Sequence, residues 1–175
     1  MTDVDLRALE PADALLLRVA TWLDVNWGGE RISLAQVDAD PLLAEYCRFR
    51  PDGGDFGLVS ASGDPSTGVV WVKHFPPDRP GYGFVRAGVP ELSVCVLPGY
   101  RGAGTGGVLL RAAVAEARRR SIGALSLSVE DGNPSRRLYE RLGFTSAPSA
   151  RHPGTMLLPL TGRRHGPPGP GAPAG

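Results

Sequence analysis

The segment that decides the fold reads Leu92-Ser93-Val94-Cys95-Val96-Leu97-Pro98-Gly99-Tyr100-Arg101-Gly102-Ala103-Gly104-Thr105-Gly106. At its start, larger apolar side chains alternate with Ser93 and Cys95, which is the two-residue period of a β-strand. Residues 108–120 contain no proline and are rich in Ala, Leu and Arg, which favours a helix. The glycine-rich turn between them presents backbone amides at the positive end of that helix. Such an arrangement binds phosphate, so the question is which phosphate compound it takes.

The composition of the 175 residues is that of an ordinary globular protein, with 42% hydrophobic and 21% charged residues. This length predicts one domain with one core, which we place at residues 1–161. Residues 162–175 contain no apolar side chain larger than proline or alanine. They cannot build a core, so we expect a disordered tail. The formal net charge of +1 gives no indication of a nucleic-acid or membrane partner.

Several kinds of site and location are disfavoured by the sequence. No stretch of about 18 apolar residues is present to cross a membrane. The acidic N-terminus lacks the basic-then-apolar order of a secretory signal. Cys47 and Cys95 lie far apart, and neither has a second Cys or a His at metal-ligand spacing. We therefore expect a cytoplasmic protein with reduced thiols and neither a metal site nor a disulfide.

Strands and helices alternate along much of the chain. Predicted strands cover residues 4–9, 56–61, 68–75, 124–130 and 155–160, with Phe144 in a last short strand. Predicted helices cover residues 11–24, 41–49 after an Asp40 cap, and 133–142 before a Gly143 cap. Residues 76–90 form a long loop with four prolines, and loops of that length are often functional. The pattern predicts a mixed α/β sheet.

A dinucleotide-binding protein is one alternative, because Gly102-x-Gly104-x-x-Gly107 matches the fingerprint of that class. That fingerprint normally turns directly out of its strand, whereas residues 98–101 intervene here. Too few residues follow for the further βα units that the class needs. Glu130 also lies about 28 residues beyond Gly102, further than the usual spacing of about 20. An NAD-dependent oxidoreductase is therefore the weaker interpretation, and a P-loop is excluded because no Gly-Lys-Ser/Thr occurs.

A pair of motifs gives the stronger interpretation. Arg101-x-x-Gly104-x-Gly106, between a strand and a helix, resembles the acetyl-CoA motif of the GNAT superfamily of N-acetyltransferases. The resemblance continues through the strand at 125–129, then Asn133, Tyr139 and the sequence Leu142-Gly143-Phe144, in the same order and spacing. Together these motifs cover about residues 91–144. The resemblance implies a single-domain α/β fold, with a mixed, centrally splayed β-sheet flanked by helices.

The resemblance assigns the donor site to the turn and to the strand before it. The backbone amides of Gly102, Ala103, Gly104, Thr105, Gly106 and Gly107 would hold the CoA pyrophosphate, with Arg101 shaping the turn and facing phosphate. A tight turn that needs glycine for positive φ is the alternative. Val94 and Val96 have core side chains on either interpretation. By resemblance, their main-chain groups pair with pantetheine as another strand would.

Asn133, Ser135 and Tyr139 belong to the second motif. Asn133 is expected to contact CoA by resemblance, and a helix cap before Pro134 is an equally good explanation. Ser135 and Tyr139 share one helix face with Leu138 and Leu142, so a core tyrosine is the alternative for Tyr139. The resemblance implies that the Tyr139 hydroxyl lies near the CoA sulfur and protonates the departing thiolate.

Glu91, at the start of the motif strand, is the candidate general base. An acceptor ammonium with a pKa near 10 must lose a proton before it attacks a thioester. A carboxylate at this position could take that proton, directly or through water, and a solvated charge at a strand start is the alternative. Asp55, Glu130 and Asp131 are weaker candidates. Cys95 is expected to be a packed strand residue, because no His motif accompanies it, and His74 and His152 are isolated.

The sequence therefore predicts transfer of an acetyl group from acetyl-CoA to a primary amine of a small molecule, peptide or protein. The amine would attack the thioester directly in a ternary complex, without metal or redox cofactor. A longer acyl donor, a hydroxyl acceptor, or a non-catalytic acyl-CoA-binding sensor module stays open. Homodimers are common in the superfamily, so a homodimer stays open as well. We expect the acceptor to be selected by the N-terminal helices, residues 76–90 and the loop before Thr155.

Overall fold

The structure is a computed structural model that describes residues 4–61 and 66–161. Residues 62–65, between the predicted strands at 56–61 and 68–75, and the predicted tail at 162–175 lie outside the described residues. The described residues form seven strands and five helices, in this order: β1 Leu6–Ala8, α1 Ala14–Val25, α2 Leu34–Ala39, α3 Pro41–Tyr46, β2 Phe56–Ser60, β3 Gly68–Lys73, β4 Glu91–Val96, α4 Thr105–Arg119, β5 Ala124–Ser128, α5 Arg136–Arg141, β6 Thr145–Ser146 and β7 Thr155–Pro159. Single 3₁₀ turns cover Pro11–Asp13 and Pro51–Gly53.

All seven strands form one sheet, in the order β1-β2-β3-β4-β5-β7-β6. Every neighbouring pair is antiparallel except β4 and β5, which run parallel. The β4–β5 pairing contains one residue pair, Glu91 opposite Ser126, whereas β4 pairs with β3 along its whole length. The two strands therefore diverge beyond Glu91, which confirms the predicted mixed sheet that is splayed at its centre.

Helices cover both faces of this sheet. Successive side chains of β3 point to opposite faces, so Val70 and Val72 pack in the core beneath α4, while Val69 and Trp71 pack in the core beneath α1. Cys95 lies in the α1 core and is 2% exposed, as expected for a packed strand residue. The sheet is thereby buried on both of its faces.

Helices α2 and α3 differ from the sequence prediction. Helix α2 was not predicted, although Ser33 and Gln36 form a reciprocal capping box at its start. Helix α3 ends at Tyr46, three residues earlier than predicted, while Asp40 caps its start by accepting hydrogen bonds from the Leu42 and Leu43 amides at 2.8 and 2.9 Å. Cap residues therefore fix both short helices, because each is too short for its own hydrogen bonds to stabilise it.

The segment after β5 also begins differently from the prediction. Helix α5 begins at Arg136, since residues 133–135 form a turn in which the Asn133 side chain accepts from the Ser135 amide at 2.9 Å. The predicted Gly143 cap is confirmed, with a φ of +96°. The following strand comprises Thr145–Ser146 and does not include Phe144, which is buried in the α4 core.

Candidate active site

A single cleft opens where β4 and β5 diverge, with a volume of about 1120 Å³. All of the predicted site residues except Ala103 line it. Ala103 is exposed, in the turn between Gly102 and Gly104. The fold therefore brings two sequence-distant motifs together as the walls of one cleft.

The glycine-rich turn and the start of α4 form one end of the cleft. Gly102 and Gly104 have φ values of +86° and +87°, a region that favours glycine. Gly104 is also the N-cap of the fifteen-residue helix α4 and has no side chain to bond the first amides. The first α-helical hydrogen bond runs from the Val108 amide to the Gly104 carbonyl. The amides of Thr105, Gly106 and Gly107 come before it and therefore have no α-helical acceptor. This end is therefore rich in backbone donors and electrostatically positive.

Arginine side chains add to the positive charge at this end. Arg101, Arg111 and Arg141 all line the cleft. The Arg101 Nε donates to the Val96 carbonyl at 3.0 Å, so this side chain holds the turn against the end of β4. This bond agrees with the expectation that Arg101 shapes the turn.

The exposed edge of β4 forms the floor of the cleft. The Ser126 amide donates to the Pro90 carbonyl at 3.0 Å. The main-chain N–H and C=O groups of the even-numbered residues of β4 therefore point toward β5. Because backbone direction alternates along a strand, the main-chain groups of Val94 and Val96 face the open part of the splay. Their side chains are half-buried: they pack against the edge of the α4 core, as predicted for core side chains, and also line the cleft. The divergence of β5 removes the neighbour that would have covered them.

The opposite wall comes from the turn before α5 and from α5 itself. Asn133 and Ser135 line the cleft, and Asn133 also holds the turn through its bond to the Ser135 amide. Tyr139 is 8% exposed and its ring contacts Phe144 edge-on, with ring centroids 6.1 Å apart. The Tyr139 ring therefore packs in the core, and the residue also lines the cleft.

Tyr139 shares the middle of the cleft with Asp24 of α1 and Cys95 of β4. Burial raises the pKa of the Tyr139 hydroxyl above its usual range, and the nearby Asp24 and Cys95 raise it further. Burial also raises the pKa of Asp24 to about 8, although a hydrogen bond with Cys95 and the charge of Arg101 both act to lower it. The pKa of the Cys95 thiol is raised by burial as well. Tyr139 therefore keeps its proton at neutral pH, and Cys95 does not have the properties of a nucleophile.

Glu91 lies at the other end of the cleft and is 4% exposed. Its Oε1 accepts a hydrogen bond from the Tyr46 hydroxyl at 2.6 Å. Its Oε2 is buried and has no partner at normal hydrogen-bond geometry among the described residues, although the Gly83 amide lies near the carboxyl group. Burial raises the pKa of Glu91 to about 7, while Tyr46 and the Gly83 amide act to lower it. A carboxyl group with that pKa can change its protonation state near neutral pH, as a general base must.

Residues 76–90 cross over Glu91, so this long loop is part of the site. A Cβ on Gly81 would collide with Glu91 Oε2 and would lie 2.7 Å from the Tyr46 hydroxyl oxygen. A Cβ on Gly83 would lie 2.9 Å from the Glu91 carboxyl carbon. Both positions need glycine because the loop backbone passes directly against the carboxyl group.

Aromatic and acidic side chains line the cleft around Glu91. Tyr82 stacks on Tyr46 with ring centroids 6.0 Å apart and meets His152 edge-on at 5.7 Å. Asp40 lines the same region and raises the pKa of the Tyr82 hydroxyl, behind the larger effect of burial. These residues come from α3, from the long loop and from the loop before β7. They form a region separate from the arginines of the phosphate end.

The weaker candidates for a base are engaged elsewhere. Asp55 forms a buried ion pair with Lys73 at 3.0 Å. Glu130 accepts from Trp27 at 2.6 Å and pairs with Arg31 at 2.8 Å, which joins the loop after α1 to the end of β5. Asp131 has an almost fully exposed side chain. Glu91 is the candidate that combines burial with a position in the cleft.

Two cleft residues were missed as functional candidates by the sequence analysis. Tyr46 and Asp24 reach the cleft only through the packing of α3 and α1 against the sheet, and no motif surrounds them in the sequence. The helical repeat places Asp24 four residues after Ala20, which is buried on the face of α1 that packs on the sheet. That spacing was an available signal for Asp24, whereas Tyr46 gave none.

Metal-ligand groups and membrane-spanning helices were also sought in the described part of the chain. Within residues 4–61 and 66–161, no cluster of three His, Cys, Asp or Glu residues could hold a metal ion. None of the helices described is long and apolar enough to cross a membrane.

Comparisons with known proteins agree with this geometry. The family model described as the acetyltransferase (GNAT) family matches residues 19–144. Streptothricin acetyltransferase of Streptomyces lavendulae is 33% identical over 149 residues, which span 80% of this chain and 76% of that protein.

Solved structures show the same fold. That of yncA from Salmonella typhimurium, solved with its cofactor acetyl-CoA, has a TM-score of 0.64 and 24% identity, covering 95% of this chain and 98% of that one. PaiA N-acetyltransferase from Thermoplasma acidophilum, solved with coenzyme A, has a TM-score of 0.65 and 18% identity, covering 90% of this chain and 99% of that one.

A splayed sheet with an open strand edge that leads to an uncapped helix N-terminus is the arrangement found here, and the matched family is one of acyltransferases that use acetyl-CoA. The donor-side geometry and the matched residues together settle the family. The chain belongs to the GNAT family of acetyltransferases, and its activity is acetyl-CoA-dependent acetyl transfer.

Proposed function

We propose that the acceptor is a primary amine, carried by a small molecule or by a peptide or protein, and that it attacks acetyl-CoA directly in a ternary complex. The observation that supports this most strongly is the continuity of one cleft. It joins the α4 N-terminus, the open edge of β4, Tyr139 and Glu91. Donor and acceptor can therefore meet at one point, and alignment of the two supplies much of the rate.

The donor occupies the positive end in this proposal. The amides at the start of α4, with Arg101 and the turn it holds, bind the pyrophosphate. Asn133 and Ser135 face the donor from the opposite wall. The main-chain groups of Val94 and Val96 pair with pantetheine, because they are the strand groups that face the splay. The thioester then lies between Tyr139 and Glu91.

The chemical step involves three proton transfers, and the acceptor nitrogen loses two protons in all. Glu91 takes a proton from the acceptor ammonium, and the neutral amine attacks the carbonyl carbon of the thioester. The C–S bond breaks, the thiolate takes the proton of the Tyr139 hydroxyl, and the proton lost by the new amide nitrogen restores that hydroxyl. The products are the acetylated amine and free CoA thiol. Cys95 takes no part as a nucleophile, since burial raises the pKa of its thiol.

An acceptor screen tests this proposal. Release of free CoA thiol from acetyl-CoA is measured with streptothricin, with diamines, with lysine peptides and with hydroxyl analogues, and acetylated products are identified by mass spectrometry. We expect thiol release with one or more amines and an N-acetyl product. Streptothricin is included because the relative from Streptomyces lavendulae is named for it. Transfer only to hydroxyl acceptors, or binding of acetyl-CoA without transfer to any acceptor, would contradict the proposal.

A further inference from the structure

Glu91 needs a specific stabilising contact to remain ionisable in its buried position. It is 4% exposed, and burial of a carboxylate away from water favours the protonated form. A fully protonated Glu91 could not accept a proton at neutral pH. The contacts that favour the ionised form therefore decide whether Glu91 can act as a base at all.

The charged groups around Glu91 do not supply that contact. Lys73 lies directly opposite Glu91 in the β3–β4 register, but its Nζ bonds to Asp55 and to the Arg48 carbonyl. In residues 4–61 and 66–161 no ion pair reaches Glu91. The other titratable side chains at this end of the cleft are Tyr46, Tyr82, Asp40 and His152. Further along the cleft lie Asp24, Cys95, Tyr100, Glu130, Tyr139 and the three arginines.

We propose that Tyr46 is a positioning residue for proton transfer: its hydroxyl fixes the Glu91 carboxylate at Oε1 and leaves Oε2 as the atom that receives the proton. This inference rests on the proposed role of Glu91 and adds to it the residue that sustains that role. The Tyr46–Glu91 bond is 2.6 Å long, within the range of charge-assisted bonds between a hydroxyl and a carboxylate. Such a bond favours the ionised acid over the neutral one.

The environment of Tyr46 makes its hydroxyl a well-oriented donor. Tyr46 is 6% exposed, and its ring packs on Phe75 with centroids 4.8 Å apart. The Tyr82 amide donates to the Tyr46 oxygen at 2.8 Å. Because hydrogen bonds in a chain polarise one another, this second bond strengthens donation from Tyr46 to Glu91. It also ties the loop that covers Glu91 to the same hydroxyl.

Tyr46→Phe separates this role from simple packing, since the ring stays and only the hydroxyl is lost. Carboxyl-labelled glutamate is followed by NMR across the pH range, with Glu91→Gln used to assign the Glu91 signal. We expect the Glu91 pKa to rise by about one unit in Tyr46→Phe, since a donor to the ionised form is removed. Tyr82→Phe is the matched control, because the Tyr82 backbone amide, not its hydroxyl, contacts Tyr46. A Glu91 pKa that is unchanged or lower in Tyr46→Phe would overturn the proposal.

A second measurement needs no substitution at Tyr46. Incorporation of 3-fluorotyrosine makes the hydroxyl a stronger donor and should lower the Glu91 pKa, the direction opposite to that of Tyr46→Phe. A rise or no change would overturn the proposal even if Tyr46→Phe failed to fold.

The pH profile of kcat/KM then tests the base itself. In Tyr46→Phe the acid limb should move to higher pH together with the Glu91 pKa. If the NMR titration moves and the acid limb does not, Tyr46 still positions Glu91, and the proposed role of Glu91 as the base is wrong.

Discussion

Tyr139 shows how one side chain serves both the core and the cleft. Its ring packs in the core beneath α4, and the residue lies near Asp24 and Cys95. The raised pKa of its hydroxyl keeps the proton in place, so the group can donate to a thiolate that forms beside it. The sequence assigned Tyr139 to a buried helix face and, by resemblance, to catalysis. The structure is compatible with both.

Tyr139→Phe removes the hydroxyl and keeps the ring. We expect turnover to fall by about 10²-fold, because general acid catalysis contributes at least that much. CoA binding should persist, since the backbone groups that hold the donor are untouched. Steady-state kinetics and calorimetric titration with CoA measure the two quantities, and turnover equal to wild type would refute the acid role.

Asp24 makes the stability of the protein depend on pH. Its folded-state pKa is raised to about 8 by burial, whereas the unfolded carboxyl has an ordinary pKa near 4. A raised folded-state pKa means that stability is lost as pH rises from the unfolded value through the folded value. The window for Asp24 is therefore between about pH 4 and pH 8.

Asp24→Asn should remove the contribution of Asp24 to the pH dependence of folding stability. We expect the melting temperature of the variant to exceed that of wild type by more at about pH 8 than at about pH 6. In that range the unfolded wild-type carboxyl is ionised while the folded one is still largely protonated, so wild type continues to lose stability as the pH rises. Thermal unfolding of the ligand-free protein at the two pH values measures the difference. An equal or smaller gain at the higher pH would show that the folded-state pKa of Asp24 is not raised.

At the scale of elements, the glycine turn and helix α4 form the unit that the sequence predicts best. The strand, the positive-φ glycines and the helix are all specified by residues close together in the chain. Local propensity and turn chemistry therefore suffice to predict the strand, the turn and the helix.

The turn also offers a matched pair of substitutions. Gly104→Glu places a negative side chain at the start of α4, and we expect CoA affinity to fall at least about 100-fold, since this charge opposes the phosphates there. Gly99→Glu adds the same side chain at a nearly equal φ, +88° against +87°, but Gly99 does not line the cleft. Calorimetric titration compares the two, and equal losses would place the phosphates elsewhere.

Other elements could be predicted only in part. The Ser33–Gln36 capping box was a readable signal for α2 that the hydrophobic pattern did not reveal. The contact between Tyr46 and Glu91 joins residues 45 positions apart, and no local rule predicts such a pairing. The half-buried state of Val94 and Val96 likewise follows from the divergence of β5, which is a property of the sheet.

At the scale of the whole molecule, the splay separates two chemical environments within one cleft. The end at α4 carries arginines and free amides, and the end at Glu91 carries aromatic and acidic side chains. The bond from Trp27 and the ion pair from Arg31 to Glu130 connect the N-terminal helices to the far side of the splay. The acceptor region therefore depends on packing between distant parts of the chain, which is why the sequence identifies the donor and not the acceptor.

The central claim is that the cleft between β4 and β5 binds acetyl-CoA, and thermal unfolding with added ligand tests it most directly. At about 100 times the Kd, a bound ligand stabilises the folded state by about 2.7 kcal/mol, which for a domain of this size raises the Tm by about 5 °C or more. We predict that rise with acetyl-CoA and no rise with NAD. A Tm unchanged by saturating acetyl-CoA would contradict the account.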